Sequence, residues 1–452
     1  MTDVSQPPVP TGRFKIILTL SLPIVGGMVS QNILNLVDTA MVGRVGPSAL
    51  AAVGIASFTN FMAIAIILGL GTGVQAIASR RKGEGKDNET AIPLNGGLFL
   101  ALVMGVPLTV ILYLVAPFGF PLLVSDPAVV QDGVPYLKAR ILGTIAIAMN
   151  YAFRGFWNGT NMSTVYMRTL VIMHAINILL NWVLIFGNLG APALGAEGAG
   201  IATTISIFVG TALYAIQAWH LARDRGFLDR LPRRETLTNI LKISIPASIQ
   251  QFFFAAGFTA LFLIIGKIGT AELAAANVLM NVSQTAFLPG LGLGIACASM
   301  VGQALGRGDP DDAKAWGWDV VKIGIAVMGA LGIPMIFFPT PILSIFLTDP
   351  AVIALARPPV ILVGATIWFE AISMILLGGL QGAGAAKIVA KISVGLQWIL
   401  FLPLAYVVGP VLGYGLMGVW AWFITYRLIT TLIFAGFWQF GKWQHIKVWR
   451  AT

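Results

Sequence analysis

The chain has 452 residues, of which 57% are hydrophobic and only 10% carry a charge. A soluble domain has roughly a quarter of its residues charged, so this composition excludes a large water-soluble globular protein. Long unbroken apolar runs also argue against a transmembrane β-barrel, whose strands alternate polar and apolar residues. The remaining class is an all-α polytopic membrane protein, and twelve helices of about 20 residues would use most of the apolar positions.

Apolar runs separated by charged residues or by proline and glycine predict twelve membrane-spanning helices. The first six are expected at residues 14–39, 50–77, 91–116, 128–153, 163–187 and 196–221. The second six are expected at residues 236–265, 273–300, 315–339, 351–376, 386–409 and 415–440. A repeated Asp-Pro-Ala-Val sequence supplies an N-cap residue and a first-turn proline, so it is expected to begin spans four and ten.

The net charge of +10 comes from short cationic clusters between the spans. Alternate loops hold most of the cations, whereas the loops on the opposite side hold few of them. Such a bias marks the cytoplasmic side, so it predicts that both termini are cytoplasmic. We expect lipid bilayer around the chain, no nucleic-acid partner and a monomer.

The two halves of the sequence repeat each other at an offset of 223 residues. Residues 126–129 recur at 349–352, Pro23 aligns with Pro246, and residues 43–52 align with 266–275. Because the offset covers six spans, an axis near the membrane normal is expected to relate the halves. The prediction is an N-lobe at 1–221, a cytoplasmic linker at 222–235 and a C-lobe at 236–452.

Two carboxylates fall well inside predicted spans, Asp38 in the first and Glu370 in the tenth. A buried charge costs several kcal/mol unless it is paired or hydrated, so these acids are candidate functional residues. Alternatively, Asp38 could be an interfacial residue, and Glu370 could bond to a neighbouring helix without any role in transport. Neither acid has a counterpart in the other half, which favours function over a shared structural role.

Polar residues on three predicted spans could complete a site around Asp38. Gln31 lies two helical turns before Asp38 on the same face, and Pro23 removes a backbone hydrogen bond and can bend the helix. Asn177 and Asn181 share a face of the fifth span, and Thr203 adds a hydroxyl from the sixth. A carboxylate with amide and hydroxyl oxygens can hold Na⁺, and protonation would discharge the same pocket. Both asparagines could also serve only to join helices.

Several sequence runs resemble the multidrug and toxic compound extrusion (MATE) family. They are LVDTAMVG at residues 36–43, LAAVG at 50–54, NILLNWVLIFG at 177–187 and LGAEGAGIAT at 194–203. The similarity covers essentially the whole chain, and it implies twelve spans in two pseudo-symmetric six-helix lobes. It also implies an antiporter, coupled to H⁺ or Na⁺, that expels organic cations and other amphipathic compounds.

The resemblance also implies roles for individual residues. The family's aspartate, glutamine and bend-forming proline of the first helix match Asp38, Gln31 and Pro23. Its fifth-helix pair matches Asn177 and Asn181, and its sixth-helix threonine matches Thr203. Asparagine at 181 is closer to the NorM-like branch than to the DinF-like branch, which has an aspartate there. The NorM-like seventh-helix glutamate is replaced by Phe254, and the tenth-helix aspartate of that branch aligns with Glu370.

The sequence therefore predicts a multidrug efflux antiporter that works by alternating access, with no cofactor beyond the coupling ion. Asp38, Asn177, Asn181 and Thr203 are the expected cation or proton site and the candidate ligands for Na⁺. Gln31 and Pro23 are expected to act in substrate binding or gating, and Glu370 as a second site. The rival hypotheses are a lipid-linked precursor flippase, which would need several cavity cations, and a membrane-embedded enzyme. No catalytic set supports the enzyme.

Overall fold

The computed structural model describes residues 12–230 and 232–446, and within these ranges it contains helices and no strands. The helices of the first half are α1 (Arg13–Gly43), α2 (Pro47–Leu68), α3 (Leu70–Gly83), α4 (Ile92–Gly119), α5 (Pro127–Leu142), α6 (Thr144–Gly159), α7 (Ser163–Phe186) and α8 (Gly195–Leu221). Those of the second half are α9 (Arg234–Gly266), α10 (Thr270–Gly306), α11 (Pro310–Phe337), α12 (Pro339–Ser344), α13 (Pro350–Gly382), α14 (Ala386–Gly395), α15 (Leu402–Tyr406) and α16 (Gly415–Phe440). One π-helical turn joins α14 to α15 and a second follows α15, so that a single helical segment extends to Val411.

The predicted architecture of twelve spans in two lobes is confirmed. Eleven of the described helical segments are long and apolar enough to cross a membrane, with α2 and α3 together forming one of them. The predicted fourth span corresponds to α5 and α6, which meet at Gly143 and are each too short to count alone. The predicted caps also occur, since Asp126 and Asp349 each accept a hydrogen bond from the backbone nitrogen two residues later.

The two lobes contact each other at the end of the molecule where α1 begins. Gln75 of α3 donates to the Ile295 carbonyl at 2.8 Å and to Ser299 Oγ at 2.9 Å, both on α10. Ser299 in turn donates to the Asn158 carbonyl of α6 at 2.9 Å. Arg13 of α1 forms ion pairs with two aspartates of α11, Asp312 and Asp319. We call this region the closed end.

Two glycines related by the repeat let the lobes approach closely there. A Cβ atom built on Gly83 would lie 2.0 Å from the Gln303 carbonyl oxygen, and one built on Gly306 would lie 2.2 Å from that of Arg80. These distances are far below van der Waals contact, so only glycine fits at either position. The repeat thus brings equivalent positions of the two lobes together at the closed end.

A Gly306→Val substitution is expected to open the closed end, because the added side chain cannot fit against Arg80. Overpacking costs about 1–3 kcal/mol, which corresponds to roughly a 5- to 150-fold change in population. Ser299 is 1% exposed, so maleimide labelling of Ser299→Cys in a Cys297→Ala background should accelerate accordingly. Gly436→Val is the control, since a Cβ at Gly436 meets nothing within 4 Å. Equal labelling rates in the two variants would contradict this explanation.

Between the lobes, away from the closed end, lies a cavity of about 550 Å³. Its lining is almost entirely apolar and includes Ile55, Phe58 and Met62 of α2 and Thr259 of α9. Within the described residues, the hydrogen bonds that join the halves involve residues 13, 69–80, 158–161 and their partners, and none involves α2 beside this cavity. The hydrogen bonds between the lobes are therefore concentrated toward the closed end, whereas α2 and α9 meet beside the cavity through apolar contacts.

Candidate functional site

Asp38 meets the two asparagines of the predicted pair where α1 packs against α7. Asn181 Nδ2 donates to Asp38 Oδ1 at 2.6 Å and also lies 2.9 Å from the Asn177 side-chain amide. Asn177 is 1% exposed and Asn181 is 0% exposed, whereas Asp38 is only partly buried. The Asp38 carboxylate is therefore bound by buried amides of another helix, and its partner Asn181 is 143 residues away in the sequence.

The Asn177 amide extends this cluster to α8. When its nitrogen is oriented toward Asp38 Oδ1 (3.2 Å), its oxygen accepts from Thr203 Oγ1 and from Ser206 Oγ, each at 3.1 Å. The structure thus brings together Asp38, Asn177, Asn181 and Thr203, which were predicted to share a site. Ser206 is an additional member.

The cluster contains an unused acceptor, because Asn181 Oδ1 is buried and has no hydrogen-bond partner. Buried polar atoms are nearly always paired, so an unpaired oxygen beside a carboxylate suits a missing donor or cation. The Asp38 carboxylate is the one negative charge among these side chains and Arg140 of α5 acts on it with the opposite charge, so the cluster matches a monovalent cation better than a divalent one. Rotation of an asparagine amide exchanges its donor for its acceptor, so the same side chains can stabilise a bare carboxylate or coordinate a cation.

Gln31 lies on the same seam between α1 and α7 but contacts a residue that we did not predict. The two nitrogens of His174 are 2.7 Å from Ser30 Oγ and 3.1 Å from Gln31 Oε1. Gln31 also donates to Asn35 Oδ1 at 3.1 Å, which continues the polar row toward Asp38. Pro23 lies inside α1, closer to the closed end than this row.

A His174→Ala substitution is expected to destabilise the fold by about 1–3 kcal/mol, because it removes both bonds from the α1–α7 seam. His174 is 3% exposed, so water cannot readily replace the lost partner. Thermal unfolding in detergent measures the effect, and the exposed His220 provides the control through His220→Ala. If the two substitutions lower the melting temperature equally, His174 does not hold the seam.

Glu370 lies apart from this cluster, in the C-lobe, and is 6% exposed. Arg427 of α16 binds both of its carboxylate oxygens: Nε donates to Oε1 at 2.6 Å, and Nη2 contacts Oε2. Such a bidentate pair is the strongest geometry for an arginine and a carboxylate. Glu370 therefore already has a cation from the protein itself.

Three features of the site were missed by the sequence analysis. His174 belongs to the polar seam, Arg427 pairs with Glu370, and Arg140 of α5 interacts electrostatically with Asp38. The spacing of His174, three residues before Asn177, places both on one face of a helix and was a usable signal. No local sequence pattern indicated that Arg427 pairs with Glu370 or that Arg140 lies near Asp38.

Comparison with known proteins agrees with this architecture. The sequence model of the MatE family matches the chain twice, at residues 23–183 and 246–407. The chain is 28% identical to the multidrug resistance protein NorM of Aliivibrio fischeri over 397 residues, which cover 87% of this chain and 86% of that one. It is 26% identical to a probable multidrug resistance protein NorM of Thermotoga maritima over 441 residues, which cover 95% and 93% of the two chains.

A solved structure described as the outward-facing conformation of a multidrug resistance MATE family transporter has the same fold. The TM-score is 0.87 at 23% identity, and the match covers 94% of this chain and 95% of that one. The two matches of the family model together take in well over half of the chain, and each contains one of the repeats. The chain therefore belongs to the MATE family and is a NorM-like multidrug efflux transporter, not an enzyme.

Proposed function

We propose that this transporter is an antiporter that exchanges inward H⁺ or Na⁺ for outward organic cations and related amphipathic drugs. The observation that carries the proposal is the Asp38 carboxylate bound to buried amides beside an unpaired amide oxygen. This arrangement supports a site that alternates between an empty, charged state and a cation-bound, neutral one. The apolar cavity between the lobes suits a flat or amphipathic substrate.

In this proposal the coupling ion binds at Asp38, with Asn177, Asn181 and Thr203 as the other ligands. Neutralising Asp38 removes the charge that holds the Asn181 amide nitrogen, so the contacts between α1 and α7 rearrange. Gln31 lies on the same seam, and Pro23 leaves a gap in the hydrogen bonding of α1 at which the helix can bend. Ion binding would thus change the shape of α1 and, through it, the packing of the N-lobe.

The closed end would be the cytoplasmic gate. The cationic loops lie at that end, which under the positive-inside rule faces the cytoplasm and places both termini there. The state described here would then open away from the cytoplasm and release substrate outward. We further propose a monomer in the bacterial inner membrane, with residues 222–235 as the linker between an N-lobe at 1–221 and a C-lobe at 236–452.

Glu370 would act as a second cation site in the C-lobe. In the state described here, the Arg427 guanidinium group takes the place of the cation at its carboxylate. An incoming cation would have to displace the guanidinium group, so this site would respond to ions only in another conformation. The same pairing weakens the flippase alternative, which needs free cations in the cavity. Arg427 is paired with Glu370, and Arg154 packs over the Tyr151 ring at 4.2 Å.

Purified protein in vesicles tests the proposed function. An imposed pH or Na⁺ gradient should drive the movement of ethidium against its own gradient, and only one of the two ions should be required. Transbilayer movement of a labelled lipid-linked precursor, measured in the same vesicles, should equal that of protein-free vesicles. Ion-independent ethidium movement, or protein-dependent movement of the precursor, would overturn the proposal.

A further inference from the structure

An open groove of about 620 Å³ runs between α9 and α14 of the C-lobe, near the closed end. Its α9 wall includes Thr238, Lys242, Ile245, Pro246 and Ile249, and its α14 wall includes Lys387, Ala390, Lys391 and Val394. The groove therefore combines cations with an apolar floor, and it lies outside both the Asp38 cluster and the cavity between the lobes.

The three lysines of the groove carry charges with no counterion. Lys242, Lys387 and Lys391 are all exposed, and none has an ion pair with a described carboxylate. Lys387 and Lys391 are four residues apart and thus share one face of α14, opposite Lys242. Three unneutralised cations around one groove favour an anionic ligand.

The apolar part of the groove is exposed as well. Ile245 is 48% exposed and Ile249 is 45% exposed, one and two turns further along α9 than Lys242. A ligand that satisfies both parts has an anionic head at the lysines and a hydrocarbon chain along these isoleucines. Lysine side chains near helix ends also extend toward the membrane interface, where lipid phosphates lie.

The residues that line the groove differ from their counterparts in the N-lobe, although the sequence repeats. The N-lobe residues equivalent to Lys242, Lys387 and Lys391 are Thr19, Thr164 and Arg168. Lys15 is in turn equivalent to the groove residue Thr238, so the N-lobe has two cations at these positions where the C-lobe groove has three. The C-lobe groove therefore differs from its N-lobe counterpart by one additional cation and by the placement of two of them.

The side chains that pack between the two helices at this position also differ between the lobes. In the N-lobe, Met167 fills the space beside Gly26, with its Sδ 3.1 Å from the position of a Cβ on that glycine. The C-lobe equivalents are Ala390 and Ile249, so the larger side chain of the pair lies on α7 in the N-lobe and on α9 in the C-lobe. In the C-lobe, Ile249 thereby lines the groove opposite the small Ala390.

We propose that this groove binds an anionic phospholipid of the surrounding leaflet, with its phosphate at the three lysines and an acyl chain along Ile245 and Ile249. The helix that forms one wall, α9, also contacts the other lobe, where the Gly69 backbone nitrogen donates to Ser248 Oγ at 3.0 Å. Bound lipid therefore stabilises a helix of the lobe interface.

Lipid binding to the intact, detergent-purified transporter tests the proposal by native mass spectrometry and thermal unfolding. Phosphatidylglycerol should bind and raise the melting temperature, whereas zwitterionic phosphatidylethanolamine should bind more weakly. Soluble glycerol 3-phosphate should have no effect, because it lacks the acyl chain. The triple variant Lys242→Gln/Lys387→Gln/Lys391→Gln should lose roughly 100-fold in affinity for phosphatidylglycerol.

Two further variants separate the charge from the shape of the groove. Ala390→Met, which copies the N-lobe residue, should weaken phosphatidylglycerol binding with all three lysines present. Arg168→Gln, at the N-lobe position equivalent to Lys391, should leave binding unchanged. Wild-type affinity in the triple variant, an equal loss in Arg168→Gln, or equal binding of the two lipids would overturn the proposal, as would equally tight binding of glycerol 3-phosphate.

Discussion

Replacing Glu370 by glutamine is expected to lower the free energy of unfolding by about 3–5 kcal/mol, because it leaves a buried guanidinium group without its anion. Arg427 makes two hydrogen bonds to the Glu370 carboxylate, on a side chain that is only 17% exposed. A neutral amide can accept one of these bonds but cannot balance the charge. Thermal unfolding in detergent, with and without the substitution, measures the loss.

The double variant Glu370→Gln/Arg427→Met is the control for this prediction. Removing both charges also removes the unpaired one, so stability should return to within about 1–2 kcal/mol of the wild type. If the double variant is as unstable as the single variant, the ion pair is not the cause. Transport by the stable double variant then tests the second proposal, because export that remains fully ion-driven would show that Glu370 does not bind the coupling ion.

Replacing Asp38 by asparagine is expected to uncouple transport from the ion gradient while leaving the protein folded. The substitution removes the only charge of the Asp38 cluster and keeps a side chain of nearly the same shape. Coupling energies between ligands are about 1–3 kcal/mol, so the stimulation of ethidium transport by the gradient should fall by roughly 5- to 150-fold. Vesicles with the same protein content and the same imposed gradient give the comparison.

Asp132→Asn is the matched control for Asp38→Asn. Asp132 lies in the same lobe and accepts a hydrogen bond from Ser48 Oγ at 3.1 Å, away from the asparagine cluster. The loss of this acid should leave gradient-driven transport within about twofold of the wild type, since sites that share no partner usually act independently to within about 0.5 kcal/mol. Equal losses in both variants would mean that lobe charge, rather than the Asp38 site, determines coupling.

The sequence predicted the architecture well because the membrane restricts what a chain can do. A backbone inside the bilayer must pair its polar groups internally, which leaves only helices and closed barrels, so long apolar runs alone locate most helical spans. The fourth span is less regular, since α5 carries Asp132, Lys138 and Arg140 and ends at Leu142, before Gly143. Helices such as α13 also extend past their apolar runs. Hydropathy locates the part of a helix that lies in the bilayer, whereas the helix itself ends where its backbone hydrogen bonds end.

The site was only partly predictable for a related reason. Asp38, Asn177 and Asn181 could be assigned to one site, because the two asparagines share a helix face and the family pattern places all three residues together. The partners of His174 and Glu370 are side chains on distant helices, Ser30 at a separation of 144 residues and Arg427 at 57. Contacts of this kind follow from helix packing, which single-helix periodicity does not encode.

The central claim is that a cation bound at Asp38 is exchanged for the exported drug. Its most direct test is the simultaneous measurement of cation uptake and ethidium release in vesicles containing either wild type or Asp38→Asn. We predict a fixed ratio of cations taken up per ethidium released for the wild type, and no ethidium-dependent cation uptake for Asp38→Asn. An unchanged ratio in Asp38→Asn, or wild-type release without cation uptake, would contradict the mechanism.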